Sequence, residues 1–362
     1  MDLAITNNVF PCGPGQSYGG ERIIGYLVEA LANLGHRVWF FSPKGTVPPD
    51  NIEDYIPVSE MRNDIDVYYE AALKYQIEKG VSWDIYQTNY FGEGYNPDVR
   101  FLAKQTCEVV WNRWCHRKPF FGKEPEAPNI ISYSKLLQQD LLASDVSSTM
   151  IHYGLPKDLY TFSPEHDGYA VFIGKLEGGK RPDLAIRLAL AAGLKIVVMG
   201  PPYNTGCFWS MVAPYIDNEK VFWVRGVDDE QKQKIMSRAR VFISSNDDSW
   251  REHFGIVNGE ALAMGVPVLG FNRINQDCAI VTDKIIEDGK QGFILNYTTS
   301  SNLEEILDKG VPLLNRINEI DRASCRNRFE EMFTADLSAR RYEYLYDYIL
   351  ENGNVDSLEV PF

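Results

Sequence analysis

The chain has 362 residues, too many for one ordinary hydrophobic core, so two domains are expected. Its 44% hydrophobic content is that of a globular protein, and no run approaches the ~20 apolar residues that span a bilayer, which argues against stable membrane insertion. The net charge of -14 argues against nucleic acid or anionic lipid as a nonspecific partner.

Residues 3–9 read as a buried first strand and not as a signal peptide, because no basic segment precedes them. The six cysteines are scattered without CxxC spacing, so reduced thiols in a cytoplasmic protein are expected, with no zinc site. A loop rich in glycine and proline follows the first strand, with Pro11, Gly13, Pro14, Gly15, Gly19 and Gly20. Ile24, Leu27, Val28 and Leu31 recur at helical spacing, predicting an amphipathic helix over 23–34 that Gly35 stops. Residues 38–41, 84–86 and 109–111 read as further strands, and 160–168 as a linker containing Pro164 and Asp167-Gly168. His152 and His166 flank this linker and are expected to be exposed.

The alternation restarts with a strand over 169–173, a helix over 182–192 and strands over 195–199 and 221–224. A helix over 229–239 and a strand over 241–244 follow. The expected architecture is α/β, with two Rossmann-like α/β/α domains facing across a cleft, divided as 1–165 and 166–335.

The densest chemistry lies in residues 251–270. Glu252 and Glu260 stand eight positions apart, with Phe254-Gly255 after the first and an apolar run ending at Gly265. This order reads as a loop, a helix N-terminus, a helix, a glycine stop and a strand. Were the whole segment helical, the two carboxylates would be about 12 Å apart along the axis. Free amides at a helix N-terminus attract phosphate, and a carboxylate on either side accepts hydrogen bonds from hydroxyls. Asn246-Asp247-Asp248 reads as a turn and not as a metal motif.

The 251–270 segment resembles the donor-binding E-x7-E motif of the retaining GT-B glycosyltransferases of family 4, in the glycosyl transferases group 1. Further landmarks of that family occur in order. Gly19-Gly20-Glu21-Arg22 with Leu34-Gly35-His36-Arg37-Val38 resembles its N-terminal glycine pattern. Ile131-Ser132-Tyr133-Ser134 resembles the strand closing its first domain, and Tyr153-Gly154-Leu155 with Phe162-Ser163-Pro164 its linker. Gly174-Lys175-Leu176 with Lys180-Arg181-Pro182 resembles its phosphate-binding segment, and Arg225-Gly226-Val227 the glycine near the base. Arg328-Phe329 onwards resembles its closing helices, implying that a helix over about 336–362 packs back on the first domain. The chain departs from the pattern at Lys175, where the family has arginine; at Asn89, where a histidine is common; and after Gly270, where a Gly-Gly pair is missing.

The resemblance implies a hexosyltransferase that takes a nucleoside diphosphate sugar and passes the sugar to a carbohydrate, lipid-linked or small-molecule acceptor, with retention and without cofactor or metal. Lys175 and Lys180, with amides at Phe254, Gly255 and Ile256, would hold the leaving diphosphate. Glu260 would take the ribose hydroxyls, Glu252 the donor sugar, and Arg225-Gly226 would lie near the base. Gly19 and Gly20 would let backbone approach the diphosphate, and His116 would stand beside the donor sugar. Plainer readings stay open: Lys180 as a solvated lysine, Glu252 as a charge offsetting a helix dipole, and Gly13 and Gly15 as turn formers. At the level of activity, the alternatives are a GT-B sugar-nucleotide epimerase or hydrolase and a non-catalytic nucleotide-sugar-binding module.

Overall fold

A computed structural model describes the chain apart from residues 8–9, 13–18, 59–64, 91–95, 112–128, 227, 247–251, 275–277, 356 and 362. The chain forms two compact units, Met1–Pro156 with Phe333–Phe362, and Lys157–Met332.

The first unit holds β1 (Asp2–Thr6), α1 (Gly19–Asn33), β2 (Arg37–Ser42), β3 (Asp54–Pro57), α2 (Ile65–Lys79), β4 (Trp83–Tyr90), β5 (Ala103–Val110), β6 (Asn129–Ser132), α3 (Lys135–Leu142) and β7 (Thr149–Met150). Its sheet runs β3-β2-β1-β4-β5-β6-β7, and every pairing is parallel. Leu3 pairs with both Val38 and Ile85, so β1 is a central strand covered on both faces. Ile23, Ile24, Leu27, Val28 and Leu31 are the buried stripe of α1. Gly35, at φ +92°, ends that helix in the left-handed region. Trp83 anchors the core on the other face, edge-on to Phe41 at 5.6 Å.

The second unit repeats the plan with β8 (Ala170–Ile173), α4 (Pro182–Ala191), β9 (Ile196–Met199), α5 (Thr205–Met211), β10 (Val221–Val224), α6 (Asp229–Ser237), β11 (Val241–Ser244), α7 (Ile256–Ala263), β12 (Val268–Arg273), α8 (Ala279–Thr282), β13 (Gly292–Tyr297), α9 (Leu303–Arg316) and α10 (Arg322–Met332). Its parallel sheet runs β10-β9-β8-β11-β12-β13. A last helix, α11 (Ala335–Asn352), returns to the first unit, where it packs on α1 and buries Tyr342, Leu345, Tyr346 and Ile349.

The chain leaves the first unit at Pro156, ahead of the expected linker over 160–168. That segment is bound into the second unit: the Ser163 amide donates to Met264 O at 3.1 Å and the Asp167 amide to Arg238 O at 2.8 Å. The outgoing and returning strands are tied together, with Leu155 N donating to Phe333 O and Ala335 N to Leu155 O, both at 2.9 Å. His152, expected to be exposed, is buried, with Nδ1 3.2 Å from Tyr133 O and its ring edge-on to Phe333. The α1 helix starts four residues earlier than periodicity predicts, because Gly19 and Gly20 form its first turn.

Glu108 is an apolar-core anomaly. It lies on β5 opposite Thr88 and Ile130, is 3% exposed, and its Oε2 has no hydrogen-bond partner among the described residues. Burial penalises the carboxylate and pushes its pKa from 4.5 up to about 8. The unfolded chain ionises first, so stability is fullest below about 4.5 and is lost as pH rises towards 8. We expect the unfolding free energy to fall over that window by roughly 3–5 kcal/mol, at about 1.4 kcal/mol per pH unit. Glu108→Gln should flatten the curve in urea titrations at stepped pH, and a variant curve parallel to the wild type would refute the assignment.

Candidate functional site

In the second unit the strand order reverses between the parallel strands β8 and β11, after which the chain winds towards opposite edges of the sheet, to β9 and to β12. Such a switch point opens a crevice at the carboxyl ends of the two strands, where ligands of open α/β sheets bind. Gly174 and Lys175 follow β8, and Ser245 and Glu252 follow β11. The sequence therefore delivers candidate site residues to one crevice from separate segments.

The β8 side is shaped by backbone contact. A side chain on Gly200, just after β9 at φ +144°, would place its Cβ 1.9 Å from Gly174 O. Only glycine lets these two strand ends close up, and Lys175 is presented directly beyond them. Its Nζ lies 4.3 Å from the centroid of the Tyr203 ring, a cation–π contact. The chain then makes a short turn over Gly178–Lys180. Arg181 follows in the left-handed region at φ 46°, and Pro182 opens α4. The Ser245 hydroxyl donates to Lys180 O at 3.1 Å and to Arg181 O at 2.9 Å, tying this turn to the end of β11.

The β11 side closes on it. Glu252 is not helical: α7 begins at Ile256, with Gly255 as N-cap at φ 69°. A Cβ on Gly255 would meet Asn258 Nδ2 at 2.5 Å and Glu252 Cγ at 3.2 Å, so glycine lets the glutamate fold back over the helix start. There Glu252 Oε2 accepts a hydrogen bond from Lys180 Nζ within a half-buried ion pair. Burial by itself would raise the Glu252 pKa. The Lys180 charge and hydrogen bond, the neighbouring His253 and the Gly255 amide outweigh it and hold the carboxyl below its usual value. The Gly255 amide is thus engaged by Glu252 and the Asn258 amide donates to Gly255 O at 2.8 Å, which leaves the Ile256 and Val257 amides as the first-turn donors of α7 without an acceptor inside the helix. Phe254 is buried beneath this turn, and its carbonyl accepts from Asn258 Nδ2 at 3.3 Å.

Glu260 lies one turn into α7 and is 2% exposed. Its Oε1 accepts from Lys232 Nζ of α6 at 2.6 Å and from the Tyr160 hydroxyl at 3.1 Å. Neither partner carries a sequence signal, since each sits far away in the chain and is brought close only by the packing of α6 and the 157–160 segment. Arg225 and Gly226 follow β10 on the same sheet edge, exposed and two strands from Lys175. No atom lies within 4 Å of a Cβ built on Gly226, so no protein neighbour demands glycine there. Gly19 and Gly20 belong to the first unit, where they supply the leading amides of α1. His116, Asp247 and Asp248 lie outside the described residues. Among the described residues no three His, Cys, Asp or Glu side chains gather as metal ligands, and no helix is long and apolar enough to cross a membrane.

Residues 161–313 match the family model described as glycosyl transferases group 1. Solved structures share the two-unit fold along nearly the whole chain, which is thereby GT-B. Sucrose-phosphate synthase from Thermosynechococcus elongatus aligns with a TM-score of 0.72 and 16% identity, over 97% of this chain and 99% of its own. AviGT4, a glycosyltransferase involved in avilamycin A biosynthesis, aligns at 0.67 and 17%, over 97% and 98%. The catalytic domain of starch synthase IV from Arabidopsis thaliana, bound to ADP and acarbose, aligns at 0.68 and 14%, over 97% and 99%. No curated protein sequence matches the chain.

The environment of Glu260 yields a stability prediction. Lys232 is 8% exposed, and among the described residues its ion pairs are with Glu260 and, at 3.5 Å, with Asp229. Removing one partner of a buried pair costs about 3–5 kcal/mol, so Glu260→Ala should be strongly destabilising although alanine keeps the helix. Adding Lys232→Met should recover much of that loss in urea unfolding. An additive double variant would show that the pair is not coupled.

Proposed function

We propose that this glycosyltransferase, whose residues 161–313 belong to the glycosyl transferases group 1, moves a hexosyl group with retention from a nucleoside diphosphate sugar to an acceptor hydroxyl. The observation that carries this reading is the Lys180–Glu252 pair, seated at the N-terminus of α7 in the β8/β11 crevice. It joins one cation suited to phosphate and one carboxylate suited to sugar hydroxyls. A GT-B starch synthase domain bound to ADP supports a nucleoside diphosphate as the leaving group.

The bond that breaks joins the anomeric carbon to a β-phosphate oxygen. The bond that forms joins that carbon to the acceptor oxygen, and the acceptor proton passes to the departing phosphate on the same face. Negative charge then grows on the diphosphate. Lys175, Lys180 and the first-turn amides at Ile256 stabilise it, and each such preorganised contact is typically worth on the order of 10²-fold in rate. Glu252 orients the sugar through its hydroxyls, Glu260 takes the ribose, and Arg225 with Gly226 borders the base. The family resemblance gives Gly19 and Gly20 a part in holding the diphosphate and His116 a part beside the donor sugar, and the acceptor is a carbohydrate, a lipid-linked sugar or a small molecule. This cation set requires no metal. A reducing cytoplasm suits the free thiols of Cys12, Cys107, Cys207, Cys278 and Cys325.

Lys175→Ala and Lys180→Ala should each weaken nucleoside diphosphate binding by about 10-fold or more while changing nucleoside binding little, because the charge acts on phosphate. Equal losses for both ligands, measured by calorimetry, would remove the phosphate assignment. With acceptor present, transfer should persist in excess EDTA and NMR should show the donor's anomeric configuration in the product. An inverted product, or activity that returns only with Mg²⁺ or Mn²⁺, would overturn the mechanism. Release of free sugar with no glycosylated acceptor would favour a hydrolase.

A further inference from the structure

A groove of ≈ 510 Å³ lies on the second unit, lined among others by Phe162, His166, Arg240, Asn318 and Arg322. Arg240 immediately precedes β11, Pro267 precedes β12, and the 162–166 segment precedes β8. The groove therefore opens at the amino ends of the strands whose carboxyl ends form the crevice. The length of β11 alone separates the two by about 13 Å, at roughly 3.3 Å per residue.

Among the described residues, Arg240 and Arg322 have no carboxylate partner and the hydrogen bonds of both go to backbone carbonyls. Arg322 is buried, and its guanidinium donates only to backbone carbonyls: Ser163 O and Ala239 O at 2.8 Å, and Ser237 O at 2.7 Å. Burial, reinforced by Arg238, lowers its pKa to about 10. Arg240 reaches only Leu314 O at 3.4 Å and Asn315 O at 3.5 Å, and its buried Nε has no partner. Glu165 and Asp167 pair with Arg238; Asp321, the one carboxylate lining the groove among the described residues, accepts from the Ala323 amide of its own helix start at 2.9 Å. His166 Nδ1 accepts from the Gly168 amide at 3.1 Å, which puts the neutral ring's proton on Nε2, where it faces the Asn318 side chain with which the ring is hydrogen-bonded. Burial, then Arg322 and Arg240, lower the His166 pKa, against the hydrogen bond to Asn318 that raises it. Phe162, Pro267 and Ile317 add an apolar wall.

We propose that this groove binds a small molecule carrying a phosphate group, at a site separate from the donor crevice. The phosphate would be met by the donors of Arg240 and would take His166 Nε2–H over from Asn318, in the field of Arg322. The volume suits more than an inorganic ion, since small-molecule pockets typically enclose about 300–1,000 Å³ with apolar walls and few polar groups.

Phenyl phosphate, inorganic phosphate and phenol are suitable probes, titrated calorimetrically with the His166 resonance followed by NMR. Phenyl phosphate should bind wild type and Lys175→Ala alike and should raise the His166 pKa, since an anion offsets the arginine field. Arg240→Met should weaken it by about 10-fold or more. Asn318→Asp, at an exposed position on the rim, should do the same by charge without threatening the fold. Inorganic phosphate binding as tightly would identify the free ion as occupant, and weaker binding an esterified one; both support the site. Unchanged affinity in both groove variants, loss in Lys175→Ala instead, or equal binding of phenol would overturn it.

Discussion

The ion pair between Lys180 and Glu252 closes the crevice where β8 and β11 part, and the local structure on both sides serves it. On one side, Ser245 holds the Lys180 turn through two carbonyls, and the glycine contact at Gly200 sets the height at which the turn leaves the sheet. On the other, left-handed Gly255 turns the chain so that Glu252 folds back over the start of α7. A β-carbon at Gly200 or Gly255 collides with backbone or with Asn258 in the observed geometry. The pair thus depends on two glycines as much as on the two charges.

Glu260, proposed to take the donor's ribose, is built into the core. Its carboxylate joins α7 to α6 through Lys232 and to the incoming chain through Tyr160. Arg326 of α10 reinforces the same corner, donating to Tyr160 O at 2.9 Å and to Ala263 O at 2.8 Å. The start of the second unit, the end of α7 and the closing helix are therefore locked to one another by hydrogen-bonded charges. A substitution at Glu260 acts on this lock before it acts on any ligand, so binding data on such variants need a folded control.

Much of this was legible in the sequence, and the limits have physical causes. The strands of the second half are short apolar runs between turn residues, and their predicted extents match closely: 221–224 and 241–244 are identical to β10 and β11. Parallel strands buried on both faces leave that signature. The helix start at Gly19 was missed because glycine propensity is a weak prior that tertiary packing overrides. The boundary at Pro156 was missed because turn residues at 160–168 mark a break in regular structure, and the hydrogen bonds that attach them to Met264 and Arg238 come from distant sequence. Within the site, Lys175, Lys180, Glu252 and Gly255 were readable because they lie in two compact segments. Tyr203, Ser245, Lys232 and Tyr160 were not, since their relation to the site exists only once the sheet is assembled.

The pairing of Lys180 with Glu252 in the β8/β11 crevice bears on how such a site avoids the cost of isolated charges. An unpaired lysine there would be partly desolvated with nothing in return, and so would the glutamate. Paired, each holds the other in one place, and Glu252 stays ionised because Lys180 depresses its pKa. On the proposed reading, an arriving diphosphate competes for Lys180 with oxygens of higher charge. As the lysine turns to the phosphate, the carboxylate becomes available to the hydroxyls of the sugar that the phosphate carries. One internal contact is exchanged for two contacts with a single ligand, on either side of the bond to be broken. A bare nucleoside brings no phosphate to displace Glu252 and would leave the pair intact. The crevice then distinguishes donor from nucleoside by whether the ligand can divide its ion pair.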